Sequence, residues 1–210
     1  MTAAFGKRAG GLIACGLLVT SIACAWADEG DEAGQWSMGG QDVHNWRHQE
    51  DTGINQKTVG GLKLKWTFTT GGDVSATPAV VDGVVYFPDF AGNFYAVNAK
   101  TGTLVWQQKV ANWSGVAGDY ARNDPVIYRG LVIVGSQAGN NAFWNGSRFV
   151  GNGAWVMAAD AETGAPRWKT QVEAFPGAMV TSSPVVYKGM IYVGVASAEE
   201  GAAAVLGTPC

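Results

Sequence analysis

An eleven-residue phrase occurs twice in this chain, as Ala96-Val-Asn-Ala-Lys-Thr-Gly-Thr-Leu-Val-Trp106 and as Ala158-Ala-Asp-Ala-Glu-Thr-Gly-Ala-Pro-Arg-Trp168. Both copies read A-x-[ND]-A-x-T-G-x-x-x-W. A shorter phrase occurs three times, over Pro78–Gly83, Pro125–Gly130 and Pro184–Gly189. Each short phrase leads into a β-rich run, Val84–Phe87, Leu131–Val134 or Met190–Val193. Repetition at roughly 40–60 residues marks stacked or radial supersecondary units. Because the copies superimpose, their differences can be read position by position.

Each unit decomposes in the same way. In the first, residues 77–81 read as a strand, Asp82-Gly83 as a hairpin turn and residues 84–87 as the return strand. Residues 89–93 turn again, 94–97 make a third strand, and Lys100-Thr101-Gly102 turns into a fourth at 104–109. Asn98 and Asp160 can bond the backbone ahead of them to start the turn, and Gly102 and Gly164 supply a positive φ. Trp106 and Trp168 then lie on an outer strand, where a flat ring can dock on a neighbouring unit. Four-stranded antiparallel units in line predict an all-β fold of propeller blades. The expected organisation is a blade over 75–110 and a second over 122–172 with an insertion at 136–153. A third, begun at 181–210, brings the total to about two and a half blades. Residues 62–69 alternate, with Leu62, Leu64, Trp66 and Phe68 on one face, and predict a half-buried strand that closes a ring. Residues 28–61 read as an acidic, irregular lead-in.

The composition agrees. With 30 Gly and 9 Trp in 210 residues, the chain suits a turn-rich β protein. A net charge of −3 gives no basic footprint, which argues against a nucleic-acid partner. Residues 1–27 stand apart. Lys7 and Arg8 precede an apolar stretch, Ala9–Cys24, and Ala25-Trp26-Ala27 is a cleavage signal ahead of Asp28-Glu29. This is the pattern of a secretory leader cut after Ala27, which predicts a periplasmic or secreted protein. A lipidation box at Ser21-Ile-Ala-Cys24 is the alternative, with Ser21 poorly suited to its first position. The apolar run is short of a stable membrane span. Cys15 and Cys24 leave with the leader, so Cys210 is unpaired; with the third repeat cut short there, the expectation is the front part of a longer protein.

Both tryptophan phrases resemble the docking motif of eight-bladed quinoprotein propellers. The stretches Trp36-Ser-Met-Gly-Gly-Gln-Asp-Val-His-Asn, Val59-Gly-Gly-Leu-Lys-Leu-Lys-Trp66 and Gly72-Asp-Val-Ser-Ala-Thr-Pro-Ala-Val-Val81 resemble the polyvinyl-alcohol-dehydrogenase-like branch. The resemblance implies an alcohol dehydrogenase using pyrroloquinoline quinone (PQQ), a Ca²⁺ ion and an aspartate base. Cytochrome c would be its electron acceptor, and a haem c on another domain or partner is compatible. The base would lie beyond residue 210. A non-enzymatic propeller of the outer-membrane assembly lipoprotein type is the rival reading. A glucose quinoprotein is a third, less well supported.

The repeats locate a candidate site. Three residues ahead of each strand proline stand Ser75, Arg122 and Thr181, which predicts one ring of positions around a central channel. Arg matches carboxylates bidentately, and PQQ is a tricarboxylate; the plain alternative for Arg122 is a surface or inter-blade ion pair. The run Tyr192–Glu199 resembles the family's Ser-Gly-Ala-Glu loop, in which Ser197 and Ala198 would contact PQQ and Glu199 would ligate Ca²⁺. Alternatively, Glu199 and Glu200 are solvated loop charges. Two departures stand out. Ser75 occupies a position where the methanol-dehydrogenase branch has Glu. Residues 115–120 lack that branch's adjacent-cysteine disulfide, on which the quinone stacks. Trp144 or Trp155 could supply a ring instead, or simply pack the insertion. His44 and His48 have a metal-like spacing without a helix to present it.

Overall fold

The computed structural model describes residues 34–49, 52–138, 143–145 and 148–199. The leader, the Cys24 box, Glu200 and Cys210 lie outside these residues.

Strands β1 (Ala79–Val81), β2 (Val84–Pro88), β3 (Asn93–Asn98) and β4 (Leu104–Lys109) form one antiparallel sheet in chain order. A short helix, α1 (Val110–Ser114), follows. Strands β5 (Val126–Tyr128) and β6 (Leu131–Gly135) open the second sheet. The insertion then carries a small hairpin, β7 (Phe143–Trp144) with β8 (Phe149–Val150). Strands β9 (Ala154–Asp160) and β10 (Pro166–Glu173) complete the sheet in the order β5-β6-β9-β10. A third unit begins with β11 (Ala178–Met179), the hairpin β12 (Val185–Tyr187) and β13 (Met190–Tyr192), and β14 (Ala196–Ser197), which pairs back on β11. This is a β-propeller, with two complete blades and the start of a third among the described residues.

The three short phrases make equivalent hairpins. Both central residues have positive φ: Asp82 50° and Gly83 75°, Arg129 48° and Gly130 75°, Lys188 49° and Gly189 74°. That is the type I′ geometry, whose twist matches paired strands.

The long phrase is an inter-blade lock. The Oδ1 of Asn98 accepts from the backbone of Lys100 and Thr101 and from the Thr101 hydroxyl. Asp160 repeats the pattern with Glu162 and Thr163. On this turn the Trp of the preceding unit comes to rest. Trp106 Nε1 donates to Ala161 O at 2.9 Å, and a Cβ added to Gly164 would lie 2.7 Å from its ring. One unit earlier, Trp66 Nε1 donates to Ala99 O at 3.0 Å, and a Cβ on Gly102 would lie 2.7 Å from Trp66. The glycine of the motif is therefore required twice, by its positive φ and by the ring lying on it. Trp168 remains 36% exposed, and no third copy of the turn falls among the described residues.

Asp160 also pairs with Arg167 at 2.6 Å. The Arg167 bond, with help from Thr163, pulls its carboxyl down to about 2. Arg167→Leu should move this titration upward, as followed by carboxyl NMR; an unchanged midpoint would show that Thr163 and the turn backbone suffice.

One large apolar cluster lies between the first two blades and includes Phe94, Trp106, Trp113, Val134 and Met157. A second, between blade 2 and the third unit, gathers Val126, Ile133, Val156, Val180, Val186 and Met38. Met38 comes from the lead-in, which is more ordered than its sequence suggests. Trp36 exchanges backbone bonds with Val80 at 2.7 and 2.8 Å, and Ile127 N donates to Ser37 O at 2.7 Å. The segment thus crosses the free edges of the inner strands β1 and β5, covering hydrogen-bonding groups that would otherwise stand open.

Residues 62–69 form no strand among the described residues: Leu62 and Leu64 are 62% and 81% exposed. Trp66 and Phe68 still pack on Phe87, Tyr95 and Val97, so the alternating face is real at one end only. Among the described residues its backbone has no neighbouring strand to bond, and side-chain docking alone does not make a sheet.

Candidate functional site

Strand direction alternates along each blade. The loops entering β1, β5 and β12, the β2–β3 turn, the insertion and the segment after β13 therefore share one end. The Asp82-Gly83 hairpin and its two counterparts occupy the other.

At that end the repeat holds as a spatial ruler. One residue before each proline stand Thr77, Asp124 and Ser183. Thr77 N donates to Asp124 Oδ1 at 2.6 Å, and Asp124 N donates to Ser183 Oγ at 3.0 Å. Two before it, Asn123 brackets Gly135 with bonds of 3.1 and 3.2 Å, and Ser182 brackets Gly194 with bonds of 2.7 and 3.0 Å. Three before it stand Ser75 and Arg122, both exposed, and half-buried Thr181. The Ser75 hydroxyl donates to Arg122 O at 3.4 Å.

A buried polar network fixes the entries to blade 2 and the third unit relative to each other. The Val180 carbonyl, next to Thr181, accepts from Asn123 Nδ2 at 2.7 Å and Gln137 Nε2 at 2.6 Å. Val180 N donates to Ser136 O at 3.0 Å. Gln137 N in turn donates to Tyr120 O at 3.0 Å and to Asp119 Oδ1 at 3.1 Å. Asp119, Asn123, Ser136 and Gln137 are at most 2% exposed. Gly135 allows this approach, since a Cβ there would meet Val180 at 2.2 Å. Burial pushes the Asp119 carboxyl above its ordinary range, against the pull of Ser114 and the Tyr120 and Gln137 amides, and its Oδ2 has no hydrogen-bond partner.

Arg122 stands with its guanidinium carbon 5.8 Å from the centre of the Phe90 ring, which meets Tyr120 edge-on at 5.7 Å and 88°. Among the described residues the one ion pair is Arg167–Asp160, so Arg122 has no carboxylate beside it. The ion-pair alternative finds no partner there.

Glu199 is exposed, and its amide donates to Ser197 Oγ at 3.2 Å. Ser197 pairs with Ala178, and Ala198 N donates to Gly177 O at 2.9 Å. The loop 196–199 is thereby laid along the strand that leads into Thr181. Among the described residues no three His, Cys, Asp or Glu side chains gather to hold a metal ion. His44 contacts Trp46, with ring centres 5.2 Å apart. Trp155 belongs to β9 rather than to the insertion. Its Nε1 donates to Asn152 O at 2.8 Å, its ring lies under Lys169, at 4.9 Å, and it packs against the core between the first two blades. The Trp144 side chain lies outside the described residues. Phe90 and Asp119 went unnoticed in the sequence; only a three-dimensional contact singles them out.

A polyvinylalcohol dehydrogenase of a Pseudomonas species is 29% identical over 169 residues, covering 79% of this chain. Another from Sphingopyxis sp. (strain 113P3) is 30% identical over 168 residues, covering 80%. The solved quinohemoprotein alcohol dehydrogenase ADHIIG of Pseudomonas putida HK5 superposes with a TM-score of 0.63 and 27% identity over 80% of the chain. The chain spans 24% of the length of each of these three. Residues 36–204 match the PQQ-type glucose/ethanol/alcohol dehydrogenase β-propeller domain, and the chain belongs to that family.

Proposed function

We propose that this chain forms part of the cofactor wall of an exported PQQ-dependent alcohol dehydrogenase. Polyvinyl alcohol or another secondary alcohol is its substrate class, and cytochrome c its electron acceptor. The observation that carries this reading is Arg122, a cation held at the blade end in register with Ser75 and Thr181 and with no carboxylate beside it among the described residues. A planar guanidinium presented in this register, with no carboxylate of its own nearby, suits a carboxylate ligand, which it can take bidentately.

The donor set fits a tricarboxylate. Arg122 would take a carboxylate through its planar fork, and Thr181, Ser75 and Ser197 would add hydroxyl donors around it. PQQ, when bound, supplies a quinone carbonyl that accepts hydride from an alcohol. The residues of this chain bind and orient; the Asn123–Gln137 network keeps Arg122 and Thr181 in fixed relation, so little reorganisation accompanies binding. For a hard cation the fit is partial: Glu199 offers one carboxylate, and the remaining ligands would be cofactor oxygens and residues other than those described.

The test is titration of the purified full-length protein with PQQ and Ca²⁺, followed by calorimetry and by dye-linked alcohol oxidation. Arg122→Leu should weaken PQQ about 10- to 100-fold, the loss of one charge-assisted contact. Glu199→Ala should raise the Ca²⁺ concentration needed for reconstitution. Absent quinone binding would return the blades to a scaffold role, and an unchanged Ca²⁺ requirement would return Glu199 to a solvated loop.

A further inference from the structure

We infer that Phe90 and Tyr120 form an aromatic seat for the face of a planar polycarboxylate whose edge Arg122 holds. The inference rests on the quinone reading above and extends it to residues with no assigned role. Phe90 lies in the β2–β3 turn of blade 1, and Tyr120 in the entry to blade 2. Both are at the end that carries Ser75, Arg122 and Thr181.

A single exposed aromatic ordinarily needs no explanation. Phe90 differs because its exposure is built in. It is 42% exposed, yet the residue before it, Asp89, is 1% exposed and pins the turn, while Phe90 N donates to Asp73 O at 2.9 Å. A rigid turn therefore holds the ring outward. Tyr120 is equally fixed: its amide donates to Asp119 Oδ1 at 2.8 Å and its carbonyl accepts from buried Gln137. The two rings meet at 88°, so they offer a face and a wall at right angles. A flat ring can stack on one and set its edge against the other, the two arrangements that aromatic quadrupoles favour. Arg122 completes the corner. Its guanidinium is oriented by the Phe90 face, and its charge meets no carboxylate among the described residues. The combination selects a ligand that is both flat and anionic, since a flexible acid would use the arginine and leave the rings unused.

The experiment measures PQQ dissociation constants by calorimetry, with Ca²⁺ present, for the parent protein and for Phe90→Leu, Phe90→Trp and Tyr120→Leu. Each leucine variant should bind about tenfold more weakly, the effect of losing one ring contact. Phe90→Trp should bind as the parent does. Phe90 is exposed, so its variants should fold, which matching thermal unfolding curves will verify. Parent-like binding in either leucine variant overturns the seat. So does equal weakening in Phe90→Leu and Phe90→Trp, which would mean that side-chain shape matters and a ring does not. A parent protein that binds no PQQ fails the quinone reading itself and the seat with it, an outcome separate from the other two.

Discussion

Trp106→Ala is expected to destabilise the folded chain by about 3–5 kcal/mol, the cost of emptying a large aromatic site in a packed core. Trp106 is 8% exposed and sits at the junction of blades 1 and 2. Its ring lies over Phe94 at 5.9 Å, meets Trp113 at 6.3 Å and touches Tyr86 at 6.1 Å. Partners on several sides cannot all relax into the space. The indole hydrogen bond adds less than it first suggests. Ala161 O also accepts from the Tyr86 hydroxyl at 3.2 Å, so truncation does not leave that carbonyl bare. Packing therefore dominates, and Trp106→Phe should recover about half of the loss or more. Trp66→Ala makes a sharp comparison. Trp66 occupies the equivalent place on the Gly102 turn but is only half-buried, with a smaller cluster beneath it. Its loss should cost clearly less. Urea unfolding followed by near-ultraviolet circular dichroism measures all three. If Trp106→Ala shifted stability by under about 1 kcal/mol, the ring would not be what locks blade 1 to blade 2.

The reasons that this lock was legible in the sequence, and that other features were not, are physical. The turn phrase encodes its own geometry. Asn98 and Asp160 bond local backbone, glycine takes the positive φ, and the Trp lies a fixed distance along the chain. Each requirement is local, so residue types at fixed spacing reveal it. Strand alternation over 62–69 was just as visible, yet sheet formation there depends on a partner strand, which is non-local. The lead-in posed the converse problem. Nothing in Trp36-Ser-Met38 reads as a strand, but the open inner edges of β1 and β5 impose extended pairing on it.

The candidate site divides along the same line. Repeat superposition places Ser75, Arg122 and Thr181 in equivalent positions, because the ruler rests on the proline that starts each inner strand. The bonds Thr77–Asp124–Ser183 are the spatial form of that alignment. The groups that steady those residues are scattered: Asp119, Gln137 and Phe90 come from an entry loop, the start of an insertion and a turn. None repeats between blades, so superposition is silent about them. A buried polar residue such as Gln137 is informative only once its burial is known.

Asp89→Ala should be the second large perturbation, costing on the order of 3 kcal/mol through the donors it strands. Asp89 is 1% exposed, and its carboxylate gathers the β2–β3 turn and the Gly71–Gly72 loop around itself. Asn93 donates from its backbone at 2.8 Å and from its side chain at 2.9 and 3.1 Å. Tyr95 donates its hydroxyl at 2.8 Å, and the Gly71 and Gly72 amides donate at 3.0 and 3.1 Å. Burial alone would raise this carboxyl, but the bonds from Asn93, Tyr95 and Gly71 together outweigh it and hold the group below its ordinary range. The sign of the pH dependence follows. A carboxyl that binds protons less tightly when folded contributes stability above the unfolded value, about 3.9. That contribution disappears as pH falls through the lowered folded value. The parent should therefore lose stability in this acid window more steeply than Asp89→Asn, which keeps the shape but cannot titrate. Parallel profiles for the two proteins would show that the carboxylate charge is not what holds the turn. Phe90 gives a second readout. It rides on this turn, so Asp89→Ala should also weaken quinone binding, whereas Trp106→Ala, which acts between the blades, should change stability far more than affinity. Equal effects of the two substitutions on affinity would mean that the rim moves with the core, and that Asp89 has no separate hold on it.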